Sequence, residues 1–255
     1  MNEIKNAEKN EYPMRINKYL AQKGICSRRE ADVLVARSLV KINGRNAKVG
    51  DKVSEGDQVD VSKKVKNFKK LQYFVFNKPI GIVTVSPAEG EKSVADIADF
   101  PEGVFTVGRL DKDSHGLIVA TNDGRITGKL LDPKYDHEKE YRVRVDKKLK
   151  DRFFRIVCGG MDLEGGEITK PCKARKIDDY TFSIVLSEGK RHQIRRMCSA
   201  LDYRVLDLKR TRVMSIKLGA LHAGEKRELV GEELAEFLQK LNLNVGSEKL
   251  NRTKQ

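Results

Sequence analysis

The chain has 255 residues, of which 39% are hydrophobic and 35% charged, and its net charge is +14. Length points to two domains, one large enough to bury a proper core, and the composition excludes a membrane protein and wholesale disorder. The basic excess gives a positive field suited to a polyanion, nucleic acid first. Tryptophan is absent and aromatics reach only 6%, so rows of stacked bases are not expected to dominate binding. No apolar run reaches the roughly 18 residues of a bilayer span, and the start of the chain lacks a signal-like apolar stretch. A cytoplasmic protein with no membrane partner is expected. The four cysteines, Cys26, Cys158, Cys172 and Cys198, have no metal-ligand spacing, so no metal is expected.

In chain order, residues 1–13 read as a disordered tail. Ile16, Tyr19 and Leu20 fall at helical spacing, with Gly24 as a C-cap. Ser27 and Glu30 form a capping box ahead of a second helix, whose buried face is Ala31, Leu34 and Val35. Val40 to Ile42, the dipeptide Asn43-Gly44 and Val59 to Val61 then read as a small sheet with a tight hairpin. Arg15, Lys18, Arg28 and Arg29 crowd the two helices, where they could neutralise phosphates without reading bases. Taken alone, a solvated helix face is the better explanation of them. The run Arg15-Ile16-Asn17-Lys18-Tyr19-Leu20, with Gly24 to Ala31 and Val40 to Gly44, resembles the small RNA-binding module named after a ribosomal small-subunit protein. The resemblance covers residues 14–62. Residues 63–70, rich in lysine, read as a basic linker.

From residue 71 to 245 the pattern is that of a larger α+β domain. Strands are expected at Tyr73 to Phe76, Val104 to Val107, Leu117 to Thr121, Tyr141 to Val145, Thr181 to Leu186 and Arg204 to Leu208. Helices are expected at Ile126 to Leu131, Leu149 to Val157 and Gln193 to Leu201, and under the closing Leu234, Phe237, Leu238 and Leu241 stripe. The elements do not alternate strictly as βαβ, so a mixed, largely antiparallel sheet is expected. Residues 246–255 read as a second disordered tail.

Three segments carry chemistry. Gly108-Arg109-Leu110-Asp111-Lys112-Asp113-Ser114-His115-Gly116-Leu117 sets a carboxylate beside an arginine in a glycine-bounded loop between strands. Glu188 to Met197 passes from a strand into a helix crowded with Arg191, Arg195 and Arg196, residue types suited to phosphate. Asp136 to Val143 places Tyr141 in an alternating strand. On composition alone a surface ion pair, an inert basic helix and a core tyrosine account for them.

In this order, with Asn77-Lys78-Pro79-Ile80-Gly81 ahead, the segments resemble the RNA pseudouridine synthases. The likeness is to the RsuA branch that modifies ribosomal RNA, RluF-like enzymes first and RluB-like next. The resemblance implies that Asp111 is the catalytic aspartate, that Tyr141 is the active-site tyrosine and that Arg195 is the active-site arginine set against Asp111. Arg109 matches a position used against RNA around a flipped base. Arg191, Arg196, Arg210 and Arg212 would add electrostatic grip. The implied activity is isomerisation of a uridine, most of all in 23S ribosomal RNA, by a monomer without cofactor, with transfer RNA as a possible second substrate. Asp111 would act either as nucleophile on the sugar or as base at C2′. The alternative is a non-catalytic RNA-binding ribosome assembly factor. It would gain nothing from a carboxylate facing a polyanion.

Overall fold

A computed structural model describes residues 12–23, 25–62, 71–163 and 166–243. The expected Gly24 cap, the basic linker 63–70 and residues 1–11 and 246–255 of the two tails lie outside the described residues. The chain divides into two compact units, Met1–Leu71 with Asp123–Arg125, and Gln72–Asn122 with Ile126–Gln255.

In the first unit, β1 (Met14–Arg15) leads into α1 (Ile16–Gln22) and α2 (Arg28–Ala36). After these come β2 (Val40–Ile42), β3 (Arg45–Asn46), β4 (Lys52–Val53) and β5 (Val59–Val61). β2 is the centre of a three-stranded sheet, and β1 pairs with β4. The capping box forms, with Ser27 N donating to Glu30 Oε2 at 2.9 Å and Glu30 N donating to Ser27 Oγ at 3.2 Å. Asn43 and Gly44 both take positive φ, 51° and 78°, as a tight hairpin demands. Ile16, Leu20, Ala31, Val35, Val40 and Val53 make the core, and Tyr12, at the edge of the expected tail, packs against it.

The second unit is α+β, built on a mixed, mostly antiparallel sheet. Its elements are β6 (Tyr73–Lys78), α3 (Val94–Ile97), β7 (Phe105–Val107), β8 (His115–Thr121), α4 (Arg125–Leu131), β9 (Lys139–Val145), α5 (Asp151–Gly159), β10 (Asp162–Leu163), β11 (Glu167–Ile168), β12 (Lys173–Lys176), β13 (Thr181–Leu186), α6 (Gln193–Ser199), β14 (Val205–Val213), β15 (Ile216–Lys217), β16 (Lys226–Glu228) and α7 (Gly231–Lys240). The strand order is β12-β13-β9-β14-β8-β6-β16, with β15 on β14 and β7 on β8. Among the described strands of this sheet only the β14–β8 junction is parallel, joined at Lys209 with His115 and Arg210 with Gly116. No described helix is long and apolar enough to cross a membrane.

Alternation decides what each face buries. Val143, Phe182, Ile184 and Leu208 lie under Phe153 and Val157 of α5 and Ile194 and Met197 of α6. Val75, Leu117 and Val119 pack instead with Phe237 and Leu238 of α7 and with Leu241 just after it. A smaller cluster of Phe76, Ile118, Val94 and Leu110 sits behind the loop between β7 and β8. The two-residue strands β1, β3, β4, β10, β11 and β15 are too short to show a period, and β12 (Lys-Ala-Arg-Lys) and β16 (Lys-Arg-Glu) also escaped the sequence pattern, because charged strands at the ends of the sheet show no apolar alternation.

Candidate active site

Asp111 sits in the loop between β7 and β8, and every side of that loop is tied down. Thr84 Oγ1 donates to Leu110 O at 2.7 Å and accepts from Leu110 N at 3.0 Å. Gly81 N donates to Lys112 O at 2.9 Å, and Ser114 N closes a turn on Asp111 O at 3.0 Å. Arg195 Nη2 donates to Asp113 O at 2.9 Å, and Arg210 Nε donates to Leu117 O at 2.7 Å. Fully buried Lys78 donates to the carbonyls of Pro79 at 2.8 Å and Ile82 at 2.5 Å, with Lys112 O more distant at 3.4 Å. Burial pulls the Lys78 ammonium down to about 8, against the opposing pull of Asp111 and Asp113. Gly116 closes the loop at φ +105°, and a Cβ there would lie 2.3 Å from Arg210 O. Only glycine permits this close approach of β8 to β14.

The loop borders an open cleft of about 840 Å³, room enough for an extruded nucleotide. Asp111 and Arg109 line it from the loop, Tyr141 and Lys139 from β9, Arg210 from β14, and Arg191 and His192 from the turn before α6. The Asp111 side chain is 43% exposed, so its carboxylate is open to a ligand. Tyr141 is half-buried between two apolar clusters, which fixes its ring at the cleft wall. Desolvation lowers the pKa of Lys139, and the Arg210 cation adds to this. Among the described residues no group of three or more His, Cys, Asp or Glu side chains gathers as a metal site.

The side chain beside Asp111 differs from the one expected. Arg195 lines no part of this cleft and makes no ion pair with Asp111 among the described residues. Its guanidinium spans from Asp113 O to Val205 O, the latter at 3.5 Å, and so braces the loop from behind. His192 takes the place beside the carboxylate, its Nε2 at 3.9 Å from Asp111 Oδ1. The left-handed φ of 51° at His192 turns the chain there just ahead of α6. The sequence showed His192 inside the arginine-rich motif, but nothing in its spacing set it apart from its neighbours.

Several arginines expected to grip RNA have protein partners instead. Arg210 is only 5% exposed, and its guanidinium binds Leu117 O and, at 3.5 Å, Arg109 O. Arg212 is held by Glu138 and Glu140, both at 3.0 Å, and Arg196 by Glu167 at 2.5 Å. Neither Arg196 nor Arg212 lines the cleft. Arg109 and Arg191 are exposed at its rim. In the first unit Arg15, Arg28 and Arg29 are exposed and Lys18 is half-buried.

A family model described as RNA pseudouridylate synthase matches residues 72–200, and the S4 domain model matches residues 14–59. The "Dual-specificity RNA pseudouridine synthase RluF" of Escherichia coli K12 is 41% identical over 238 residues, spanning 92% of this chain and 81% of that protein. The "Ribosomal large subunit pseudouridine synthase B" of Bacillus subtilis 168 is 34% identical, over 86% of this chain and 93% of its own. A solved structure described as a pseudouridylate synthase superposes with a TM-score of 0.65 at 30% identity, covering 89% of this chain and 99% of that one.

Proposed function

This chain belongs to the RNA pseudouridylate synthase family, and from that premise we propose that it isomerises a uridine of large-subunit ribosomal RNA with Asp111 as the catalytic carboxylate. One observation carries the assignment: in a strongly basic protein, an exposed carboxylate stands on a rigidly braced loop at the wall of a nucleotide-sized cleft. A purely binding surface would gain nothing from an anion at that point. The large-subunit reading draws on the printed names of the similar enzymes of Escherichia coli and Bacillus subtilis.

The reaction breaks the N1–C1′ bond and makes a C5–C1′ bond. One proton leaves C5 while N1 gains one, so the sum is an isomerisation. The uridine must leave its stack, at a cost of a few kcal/mol in a helix and less in a loop. Tyr141 stacks beneath the extruded base, and Arg109 and Arg191 hold the flanking backbone. Asp111 then acts on the sugar, either as nucleophile at C1′ or as base at C2′. His192, 3.9 Å away, offers the carboxylate a polar neighbour inside the cleft. Arg195 serves as a positioning residue through Asp113 O. Residues 14–62 act as an RNA-binding tether that raises the local concentration of substrate. The protein acts in the cytoplasm as a monomer.

Carbodiimide primer extension on RNA from cells with and without the protein names the uridine, with transfer RNA mapped in parallel as a second substrate class. On that RNA, Asp111→Asn keeps binding and abolishes release of tritium from uridine labelled at C5. Undiminished release from the variant refutes the catalytic role.

A further inference from the structure

β13 and β9, which bury Phe182, Ile184 and Val143 under α5 and α6, carry polar and charged side chains on their other face, among them the exposed Arg142 and Arg144. Strand pairing fixes who shares that face, because residues directly opposite one another point the same way. Arg175 of β12 pairs with Ser183 of β13, Ser183 with Arg142 of β9, and Arg142 with Lys209 of β14. Two residues away along their strands, and so on the same side, lie Lys173 and Arg144. Arg175 Nε donates to Ser183 Oγ at 3.0 Å, which confirms the shared face. Lys173, Arg175, Arg142 and Arg144 are exposed and Lys209 is half-exposed. None of the five makes an ion pair among the described residues, although Asp178 lies close enough to feel Arg142.

The acidic residues within this face are already engaged. Asp207 is bound to His115 at 2.8 Å and Glu140 to Arg212 at 3.0 Å. Lysine and arginine on β12 alone would be explained as protection of a free sheet edge. Arg142, Arg144 and Lys209 stand on interior strands, where edge protection has no purpose. With strands about 4.8 Å apart, the backbone of Arg142 is about 5 Å from that of Lys209 and about 10 Å from that of Arg175. Val185 is the apolar side chain among these positions, and no aromatic is present, so the face lacks the apolar centre of a protein interface.

We propose that this cationic sheet face is a second RNA-binding surface, which holds the phosphate backbone of a helical arm of the substrate outside the catalytic cleft. It is separate from the cleft because neighbours in sequence point oppositely: Tyr141 and Arg210 line the cleft, while Arg142 and Lys209 face away. An arm reaching it passes the β12 edge, where Lys173 and Arg175 stand. Guanidinium groups with no base-stacking partner grip backbone without reading sequence. A short stem-loop that fills only the cleft leaves this face empty.

The inference rests on an RNA substrate, and its test separates the two. Affinity is measured across a salt series for full-length 23S ribosomal RNA transcript and for a short stem-loop around the mapped uridine. Arg142→Gln/Arg144→Gln/Arg175→Gln lowers the slope of log K against log salt on the transcript by about 2 to 3, at 0.7–0.9 per lost phosphate contact. On the stem-loop its slope and turnover match the wild type. Arg142→Gln alone, which removes no hydrogen bond seen in the structure, lowers the transcript slope by about 0.7–0.9. An unchanged transcript slope, or an equal loss on both RNAs, overturns the inference. An unchanged RNA slope with lost binding to polyglutamate assigns the face to an acidic protein and overturns it equally. If the slope falls but the wild type forms no pseudouridine, the face stands and the catalytic reading fails.

Discussion

Replacing Arg210 with glutamine separates a brace from a phosphate contact. In the structure Arg210 is buried, and its Nε donates to Leu117 O at 2.7 Å with Arg109 O at 3.5 Å, so it joins the two ends of the loop that carries Asp111. A buried charge-assisted hydrogen bond contributes about 1.5–3 kcal/mol. The longer contact to Arg109 adds little. In a unit of this size each kcal/mol moves Tm by about 2–4 °C, so Arg210→Gln is expected to melt roughly 3–12 °C lower. Loosening the loop also misplaces the carboxylate, and a displacement of about 1 Å at a reacting group lowers turnover on the order of 100-fold. Affinity for RNA and its salt slope stay near wild type, because no phosphate contact is lost. Calorimetry, tritium release and filter binding over a salt series read the three quantities. A slope lowered by about 0.7–0.9 with an unchanged Tm would mean that Arg210 meets phosphate, and the bracing argument would be wrong.

Gly116→Ala puts a Cβ against Arg210 O at a φ of +105°, forcing the parallel seam between β8 and β14 apart. A loss of about 2–4 kcal/mol and of most activity is expected, and a variant as stable as wild type in urea refutes the reading. For Lys78, burial lowers the folded pKa to about 8 from the ordinary 10.5. The unfolded chain therefore binds more proton between those values, so this group makes stability rise with pH from about 8 to 10.5 and adds no slope below 8. Lys78→Met removes that rise while leaving the Pro79 and Ile82 carbonyls without their cation; identical pH slopes in denaturant titrations of the two proteins would sink the argument. Tyr141→Ala lowers kcat/KM roughly 5- to 150-fold, the equivalent of one lost base stack of about 1–3 kcal/mol, and unaltered kinetics would reduce Tyr141 to a packing residue.

Local signals survived folding because their geometry is local. The Ser27–Glu30 box spans one helical turn, and the Asn43-Gly44 turn needs only positive φ at adjacent residues. Thr181–Leu186 alternates strongly enough to bound its own strand. The Asp111 loop was legible for the same reason, with glycines, arginine and aspartate contiguous between apolar runs.

What the residues around that loop do was decided by tertiary structure. Arg210 and Arg212 sit two apart on one strand, and simple alternation would give them one face. A register shift between them pairs Arg210 with Tyr141 and Arg212 with Glu140, sending one to the cleft side and the other to carboxylates on the opposite face. Arg195 meets a loop 81 residues earlier in the chain, and His192 reaches Asp111 only because the turn before α6 closes on that loop. Composition and contiguous motif thus pointed to the family, to the mixed, largely antiparallel sheet and to the loop that carries Asp111. The division of arginines between brace, ion pair and open surface depended on strand register and burial, which are properties of contacts between distant segments and leave no mark on spacing in the chain.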